Sequence, residues 1–290
     1  MIPSWKRALF LLPLAVAPGV LVMWPVAEVL VLAFKNQVTL FQIDRWVGLD
    51  NFRFLFQEDL RFWRALGNTL YFTFVSVGWE LSLGLALALY LRFGRDPAWL
   101  KTVILFPWAI PNVVSARLWQ WLFHPEAGLV NYLLMRLGVV ESPVAWLSTP
   151  SGAMHAAILA DVWKTTPLMC LLLYAGLQSV PVPLIQAARI DRTPPWRLFR
   201  RIILPLIRPA LVAALVLRGL DAFRVFDLIY VMTGGGPAQA TETLSVYAYK
   251  TYFQSLQFGY GSAIAVVQVG LMAVLTALAL RWRYLRGMEP

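Results

Sequence analysis

Long apolar runs alternate with short polar segments along the chain. A helix needs about 20 mostly apolar residues to cross a bilayer. Six stretches meet that length: residues 9–34, 66–91, 100–123, 153–179, 207–232 and 260–281. The pattern therefore predicts an all-α, polytopic membrane protein with about six transmembrane helices.

The first apolar run differs from the others because prolines interrupt it. Pro13, Pro18 and Pro25 predict a kink or a re-entrant start, since proline lacks the backbone N–H that a helix interior requires. The run is also longer than the apolar region of a signal peptide and lacks a small-residue cleavage site. We expect an uncleaved membrane anchor.

Composition agrees with lipid as the solvent. Of the 290 residues, 59% are apolar and 14% are charged, whereas a soluble domain is about half apolar and a quarter charged. The net charge of +10 comes from basic residues at the ends of apolar runs, which disfavours nucleic-acid binding. The lone Cys170 excludes a disulfide within the chain.

The distribution of basic residues predicts the orientation, because cytoplasmic loops are enriched in lysine and arginine. With both termini inside, the cytoplasmic segments carry 14 of the 25 basic residues. These are Lys6, Arg7, Arg92, Arg95, Lys101, Arg189, Arg192, Arg197, Arg200, Arg201, Arg208, Arg281, Arg283 and Arg286. The outer segments are balanced in charge, and the aromatic-rich stretch 35–65 suits the membrane interface. We therefore expect both the N- and the C-terminus on the cytoplasmic side of the membrane.

One cytoplasmic loop, residues 181–205, is longer than a connector between two spans requires. Its composition predicts a short helix from Pro183 to Ile190, a turn at Pro194 and Pro195, and a second basic helix from Trp196 to Ile203. Such a segment suits a docking element on the cytoplasmic face. The alternative is a helix held on the membrane surface by anionic lipid.

The loop resembles the EAA loop of the permease subunits of binding-protein-dependent ABC importers, whose pattern is Glu-Ala-Ala, Asp-Gly-Ala, an aromatic residue and a closing Leu-Pro. The matching positions keep the spacing, with Gln186 in place of the acid and Arg192 in place of the glycine. They are Gln186, Ala187, Ala188, Asp191, Arg192, Trp196, Phe199, Leu204 and Pro205. By resemblance, these residues couple the chain to an ATPase.

Other segments also resemble this family. Gly67-Asn68-Thr69 resembles the entry to the family's second span, and the run 161–167 resembles its fourth span. The run 218–227 followed by the run 233–238 resembles its carbohydrate branch. The resemblance implies a type I ABC importer permease fold, with a single transmembrane permease domain over residues 1–290 and a coupling loop at 181–205. It also implies a second permease subunit, two ATPase subunits, an extracytoplasmic binding protein, and a di- or oligosaccharide such as trehalose or maltose as solute. The location that it implies is the inner membrane of a bacterium or archaeon.

This chain has no G-x-x-x-x-G-K-[ST] sequence, so we expect no cofactor here, with ATP and magnesium bound by the partner ATPase. No nucleophile and base are recognisable as a pair, and His124 and His155 lack metal-ligand spacing. The chain is thus expected to be a transporter subunit rather than an enzyme. The alternatives are the same importer class for a polyol or glycerol-phosphate-type solute, a secondary transporter, or a membrane enzyme.

Charged residues within the spans predict a polar pathway, because a charge in the bilayer must line water or find a partner. The fifth span carries alternating charges at three-residue spacing, and the fourth offers an acid and a base. The predicted pathway residues are Asp161, Trp163, Lys164, Thr165, Arg218, Asp221, Ala222, Arg224 and Asp227. A structural ion-pair ladder and a gating role are the alternatives. We expect Glu80 to form a hydrogen bond between spans.

Overall fold

The computed structural model describes residues 19–94 and 98–285, and helices make up most of them. In chain order, the helices are α1 (Gly19–Leu32), α2 (Asp50–Gln57), α3 (Leu60–Phe93), α4 (Ala98–Ala109), α5 (Asn112–Leu122), α6 (Leu129–Arg136), α7 (Pro150–Gln178), α8 (Val182–Ile190), α9 (Pro195–Phe223), α10 (Asp227–Met232), α11 (Leu244–Tyr249) and α12 (Phe258–Leu285). Two short strands, β1 (Lys35–Val38) and β2 (Ile43–Trp46), pair as an antiparallel hairpin.

Among the described residues, four helices are long and apolar enough to span a membrane: α3, α7, α9 and α12. They confirm the spans predicted near 66–91, 153–179 and 260–281, and the first part of 207–232. The first predicted span, 9–34, is described only from Gly19, so Pro13 and Pro18 lie outside the described residues. Lys6, Arg7, Arg95 and Arg286, which entered the orientation argument, also lie outside them.

Two predicted spans are not single helices. Within 100–123, α4 and α5 meet at 93°, so this run is a broken span or a re-entrant segment. The break falls before Asn112, where Pro111 adopts an extended conformation that a helix interior excludes. Within 207–232, α9 ends at Phe223 and α10 begins at Asp227. The first break lies within an apolar run, and the second lies within a run that stays apolar on average despite Arg224 and Asp227, so hydropathy did not reveal either break.

The described residues form two compact units, one including residues up to Trp63 with Tyr247–Gly270, the other Arg64–Val246 with the chain from Leu271. In the first unit the hairpin is joined to α2 through Asn51, whose side-chain amide donates to the carbonyl oxygens of Ala33 and Lys35. The single permease domain over residues 1–290 stays a prediction.

A buried carboxylate organises the rest of the first unit. Asp59 accepts hydrogen bonds from the backbone N–H groups of Arg61 and Phe62, which opens α3 as an N-cap does. It also accepts from the hydroxyls of Tyr247, at 2.6 Å, and Tyr260. Burial raises the pKa of Tyr247, as does its bond to Asp59, so this hydroxyl remains a donor at neutral pH.

Gly259→Ala is expected to destabilise the first unit by about 1 to 3 kcal/mol, the usual cost of overpacking. A Cβ at this position would overlap the carbonyl oxygen of Lys35, so the backbone must move. Gly270→Ala on the same helix is the control, because its Cβ would meet nothing within 4 Å. Thermal unfolding in detergent compares them, and equal melting temperatures would contradict the prediction.

The second unit is built around α7, which is the most deeply buried of the four spanning helices. Glycines allow two neighbouring helices to approach it closely, as is usual in membrane bundles. A Cβ on Gly84 of α3 would lie 2.8 Å from the side chain of Met169, and a Cβ on Gly176 would overlap the Cβ of Ala210 on α9. These contacts hold α3 and α9 against different parts of α7.

Candidate functional site

A cavity of about 300 Å³ opens in the second unit where the two predicted spans break. The amino-terminal end of α5, the middle of α7, the last turns of α9 and the start of α10 form its wall. The lining residues are Asn112, Asp161, Lys164, Thr165, Arg218, Asp221, Ala222, Arg224, Val225, Phe226, Asp227 and Leu228. Eight of the nine predicted pathway residues are therefore brought together, all except Trp163.

Arg218 is the centre of the cluster and is only 1% exposed. Its Nε and Nη2 atoms each lie 2.7 Å from an oxygen of Glu80, a bidentate pair between α9 and α3. Its Nη1 lies 2.5 Å from Asp221, and its Nη2 lies 3.2 Å from Asp161 on α7. Three carboxylates on three helices thus surround one guanidinium, an arrangement that keeps a buried charge compensated.

Glu80 has no partner that the sequence alone identifies. The hydroxyl of Thr165 lies 2.7 Å from Glu80 Oε1, which confirms the expected hydrogen bond between spans. The ion pair with Arg218 was not predicted, because the two residues are 138 positions apart. Gly84 lies one helical turn after Glu80, and its close contact with Met169 brings this part of α3 to Thr165.

Among the described residues, only the first three of the four alternating charges predicted along the fifth span form ion pairs with one another. Asp221 binds Arg218 and also lies 3.2 Å from Arg224. Arg224 and Asp227 are not paired in the described part of the chain, because α9 ends at Phe223 and Asp227 starts a new helix. Asp227 instead accepts a hydrogen bond from Asn112, the first residue of α5.

Lys164 and Trp163 have different surroundings although they are neighbours on α7. Lys164 is 9% exposed and lines the cavity. The Trp163 ring packs against Trp119 with centroids 5.7 Å apart, and it does not line the cavity. Phe226 supplies the aromatic surface instead, stacked on Tyr230 at 5.2 Å. Trp163, predicted as a pathway residue, therefore lies outside the wall of this cavity.

The predicted coupling loop contains the expected first helix, α8, and a turn. Ile185 and Ala188 are its buried positions, whereas Gln186, Ala187 and Ile190 are exposed, Ile190 at 81%. The predicted second helix is not separate but forms the start of α9, through a π-helical segment at Phe199–Ile203 that precedes Leu204 and Pro205. Trp196 is exposed and its ring lies 6.2 Å from that of Phe199.

Arg192 keeps the turn that follows α8 although it stands where the resembling family has glycine. Its φ of +50° is left-handed, and Asp191 is the C-cap. The N–H of Thr193 donates to the carbonyl oxygen of Ala188 and that of Arg192 to Arg189, which completes a Schellman motif. The turn itself, rather than a glycine, is what the loop retains.

Arg192→Gly is expected to raise the stability of the chain by about 0.5 to 1 kcal/mol, because a Cβ is unfavourable in the left-handed conformation. Arg189→Gly makes the same chemical change within α8, where glycine costs about 1 kcal/mol. In thermal unfolding in detergent, the melting temperature should therefore rise for Arg192→Gly and fall for Arg189→Gly. A lower melting temperature for both variants would contradict the assignment of strain to Arg192.

The two histidines are held by local contacts. His124 Nδ1 accepts from the backbone N–H groups of Glu126 and Ala127. His155 Nδ1 lies 2.7 Å from the carbonyl oxygen of Ser151, and its Nε2 lies 2.8 Å from the Tyr71 hydroxyl. Within residues 19–94 and 98–285, no group of three or more His, Cys, Asp or Glu side chains is placed to hold a metal ion.

Comparison with known proteins gives a family match over residues 80–284, to the family described as binding-protein-dependent transport system inner membrane component. The trehalose/maltose transport system permease protein MalF of Thermococcus litoralis is 43% identical, covering 94% of this chain and 92% of that protein. The sulfoquinovosyl glycerol transport system permease protein SmoG of Agrobacterium fabrum is 35% identical, covering 97% and 94%.

A third relative is the trehalose transport system permease protein SugA of Mycobacterium tuberculosis, 37% identical over 95% of this chain and 88% of that protein. Among solved structures, a chain of a bacterial ABC transporter involved in the import of the acidic polysaccharide alginate is similar in fold. Its TM-score is 0.85, with 24% identity, over 99% of this chain and 97% of that one. This likeness confirms the expected all-α importer fold.

Proposed function

Because this chain belongs to the family of binding-protein-dependent transport system inner membrane components, we propose that it is a membrane-spanning subunit of an ATP-driven importer that carries a sugar into the cytoplasm. The observation that carries the proposal is the cavity at the two helix breaks, whose wall holds the charged residues of α7, α9 and α10. Charged groups within membrane-spanning helices are expected at solute pathways. The relatives named for trehalose or maltose support a di- or oligosaccharide.

The remaining parts of such an importer follow from the family. We propose a second permease subunit, two ATPase subunits that bind ATP and magnesium, and an extracytoplasmic binding protein that delivers the sugar. Both termini of this chain lie in the cytoplasm. The exposed face of α8, with Gln186, Ala187 and Ile190, contacts one ATPase, and closure of the ATPases moves α8 together with the spans that follow.

A second candidate is the same importer class with an anionic or polyol solute. The relative named for sulfoquinovosyl glycerol, at 35% identity, is the observation that favours it. The cavity favours a neutral sugar instead, because each of its two arginines already has a carboxylate partner in Asp221.

The test is to purify the complex through this chain, reconstitute it in lipid, and measure ATP hydrolysis with its binding protein and a panel of sugars. Hydrolysis that rises only with the binding protein and one class of sugar supports the proposal and identifies the solute. If no ATPase copurifies, and removing residues 183–193 changes nothing, the importer proposal is wrong.

A further inference from the structure

The three cations that line the cavity differ in how far they are already paired. The guanidinium of Arg218 donates to Glu80, Asp161 and Asp221, so each of its three nitrogens is already engaged within the protein. Arg224 pairs with Asp221, and its side chain is 67% exposed. For Lys164 no carboxylate among the described residues lies within 4 Å, although the residue is 9% exposed. Lys164 is therefore the buried cation whose donors remain available in the cavity.

A buried ammonium is costly unless acceptor atoms replace its lost water. We infer that Lys164 donates hydrogen bonds directly to the hydroxyl oxygens of a neutral, hydroxyl-rich solute in this cavity, while Glu80 and Arg218 are positioning residues that do not contact the solute. The inference rests on the proposed import function and assigns the roles within that site. An ammonium has three donors, which suits several hydroxyl oxygens of one sugar ring.

The charges around Lys164 favour a neutral solute over an anion. Asp161 and Asp221 are paired with the two arginines, whereas Asp227 lies within 4 Å of no cation among the described residues, so an anionic solute would meet one available carboxyl group beside the one available ammonium. Glu80 adds a fourth carboxyl group behind Arg218, and it occupies two of that guanidinium's donors. Sugar hydroxyls can both donate to carboxylates and accept from Lys164, whereas an ionised phosphate or sulfonate can only accept.

Glu80 and Arg218 act on the solute through the helices they hold. Their pair joins α3 to α9, and the contacts of Asp161 and Thr165 join α7 to both. These contacts of Glu80 and Arg218 fix the depth and orientation of α7 at the cavity. Because Lys164 is the neighbour of Thr165 on this helix, they also fix the position of Lys164. Changing Arg218 should therefore alter assembly, whereas changing Lys164 should alter solute passage.

The first test compares Lys164→Met with Lys164→Arg in the complete complex, reconstituted in proteoliposomes with its binding protein and a labelled neutral disaccharide that the wild type takes up. We expect Lys164→Met to lower uptake at least about tenfold, the effect of roughly 1.4 kcal/mol lost from one step. Lys164→Arg should retain a larger share, because it keeps a donor and the charge. Lys101→Met is the matched control with wild-type uptake, because this lysine of α4 lies beside the ring of Tyr174 and outside the cavity.

Chemical rescue separates a lost contact from a folding defect. Lys164→Cys is placed in a Cys170→Ala background, which removes the one native thiol of this chain, and the complex with Cys170→Ala alone is treated in parallel as the control for the other subunits. An aminoethyl methanethiosulfonate then reacts with the thiolate introduced at position 164: its sulfur displaces methanesulfinate, and a disulfide to an ethylammonium group forms. We expect this reagent to restore uptake in the assembled complex, and the neutral methyl reagent not to restore it.

Each outcome has a distinct meaning. Wild-type uptake by Lys164→Met, or equal effects of the charged and neutral reagents, overturns the role of Lys164. Competition by an excess of a phosphorylated disaccharide as strongly as by the neutral one overturns the neutral-solute assignment. If the wild-type complex itself neither holds an ATPase nor takes up any sugar, the proposed function fails instead.

Discussion

Glu80→Ala is expected to lower the free energy of unfolding by about 3 to 5 kcal/mol, the range found when one partner of a buried ion pair is removed. The substitution leaves Arg218, which is 1% exposed, without the bidentate partner that occupies its Nε and Nη2 atoms. It also removes the acceptor beside the hydroxyl of Thr165. Thermal or denaturant unfolding of the purified chain in detergent measures the change, and Glu126→Ala, at an exposed acid, should stay within about 0.5 kcal/mol of wild type.

A double variant isolates the interaction between the two side chains. Glu80→Met combined with Arg218→Met should cost less than the sum of the two single variants, by about 1 to 3 kcal/mol, because the second substitution removes the charge that the first left unpaired. If the cost of the double variant equals the sum of the two single costs to within about 0.5 kcal/mol, the interaction energy between the two side chains is negligible.

Ile190→Asp is expected to separate the chain from its ATPase while leaving its own stability nearly unchanged. The side chain is 81% exposed, so a carboxylate there costs the isolated chain little. In a contact with an ATPase the same carboxylate would lose its water without a partner, at a cost of several kcal/mol. We expect loss of the copurified ATPase and at least about a tenfold fall in uptake.

Ile190→Val is the conservative control, since it keeps an apolar side chain at the same position of α8. It should retain both the ATPase and uptake. If Ile190→Asp holds its ATPase as firmly as wild type, the exposed face of α8 is not the contact. Binding of the loop to anionic lipid vesicles, lost on neutralising its arginines, would then favour the membrane-surface alternative.

Hydropathy located the spanning helices well but not the points where they break. The run from 100 to 123 stays apolar through the junction of α4 and α5, and apolar residues flank Arg224 on both sides at the second break. A break depends on whether backbone groups find other partners, which side-chain hydropathy does not report. Pro111 was the available signal for the first break. The second has no proline or glycine between Asp221 and Asp227 to mark it.

The site was predicted as a set of residues rather than as an arrangement. Mid-span charges are costly enough to stand out in any sequence, so Asp161, Arg218 and Asp221 were identified. The pairing of Arg218 with Asp221 follows from their three-residue spacing. The pair of Glu80 with Arg218 could not be predicted, because these residues meet only through the packing of α3 and α9 against α7. Trp163 was predicted to line the pathway but does not. Its neighbour Lys164 faces the cavity, and adjacent residues on a helix point about 100° apart.

Two further features could not be predicted from the sequence: the hairpin of β1 and β2, and the turn at Arg192. Strands of four residues carry too little alternation to distinguish them from a loop, and here they were expected only as part of an aromatic interfacial segment. At Arg192 the sequence departs from the glycine of the resembling loop. The backbone keeps the left-handed conformation because the two hydrogen bonds of the Schellman motif offset its strain.

The 138-residue separation of Glu80 and Arg218 has a consequence for how the chain is made. A ribosome adds about 5 to 20 residues per second, so Glu80 is synthesised roughly 7 to 28 seconds before Arg218. During that interval α3 carries a carboxyl group with no guanidinium to meet it. The bidentate pair that joins α3 to α9 can therefore form only after α9 has been synthesised. We expect slow translation between the two residues to lengthen this interval and to increase degradation of the nascent chain.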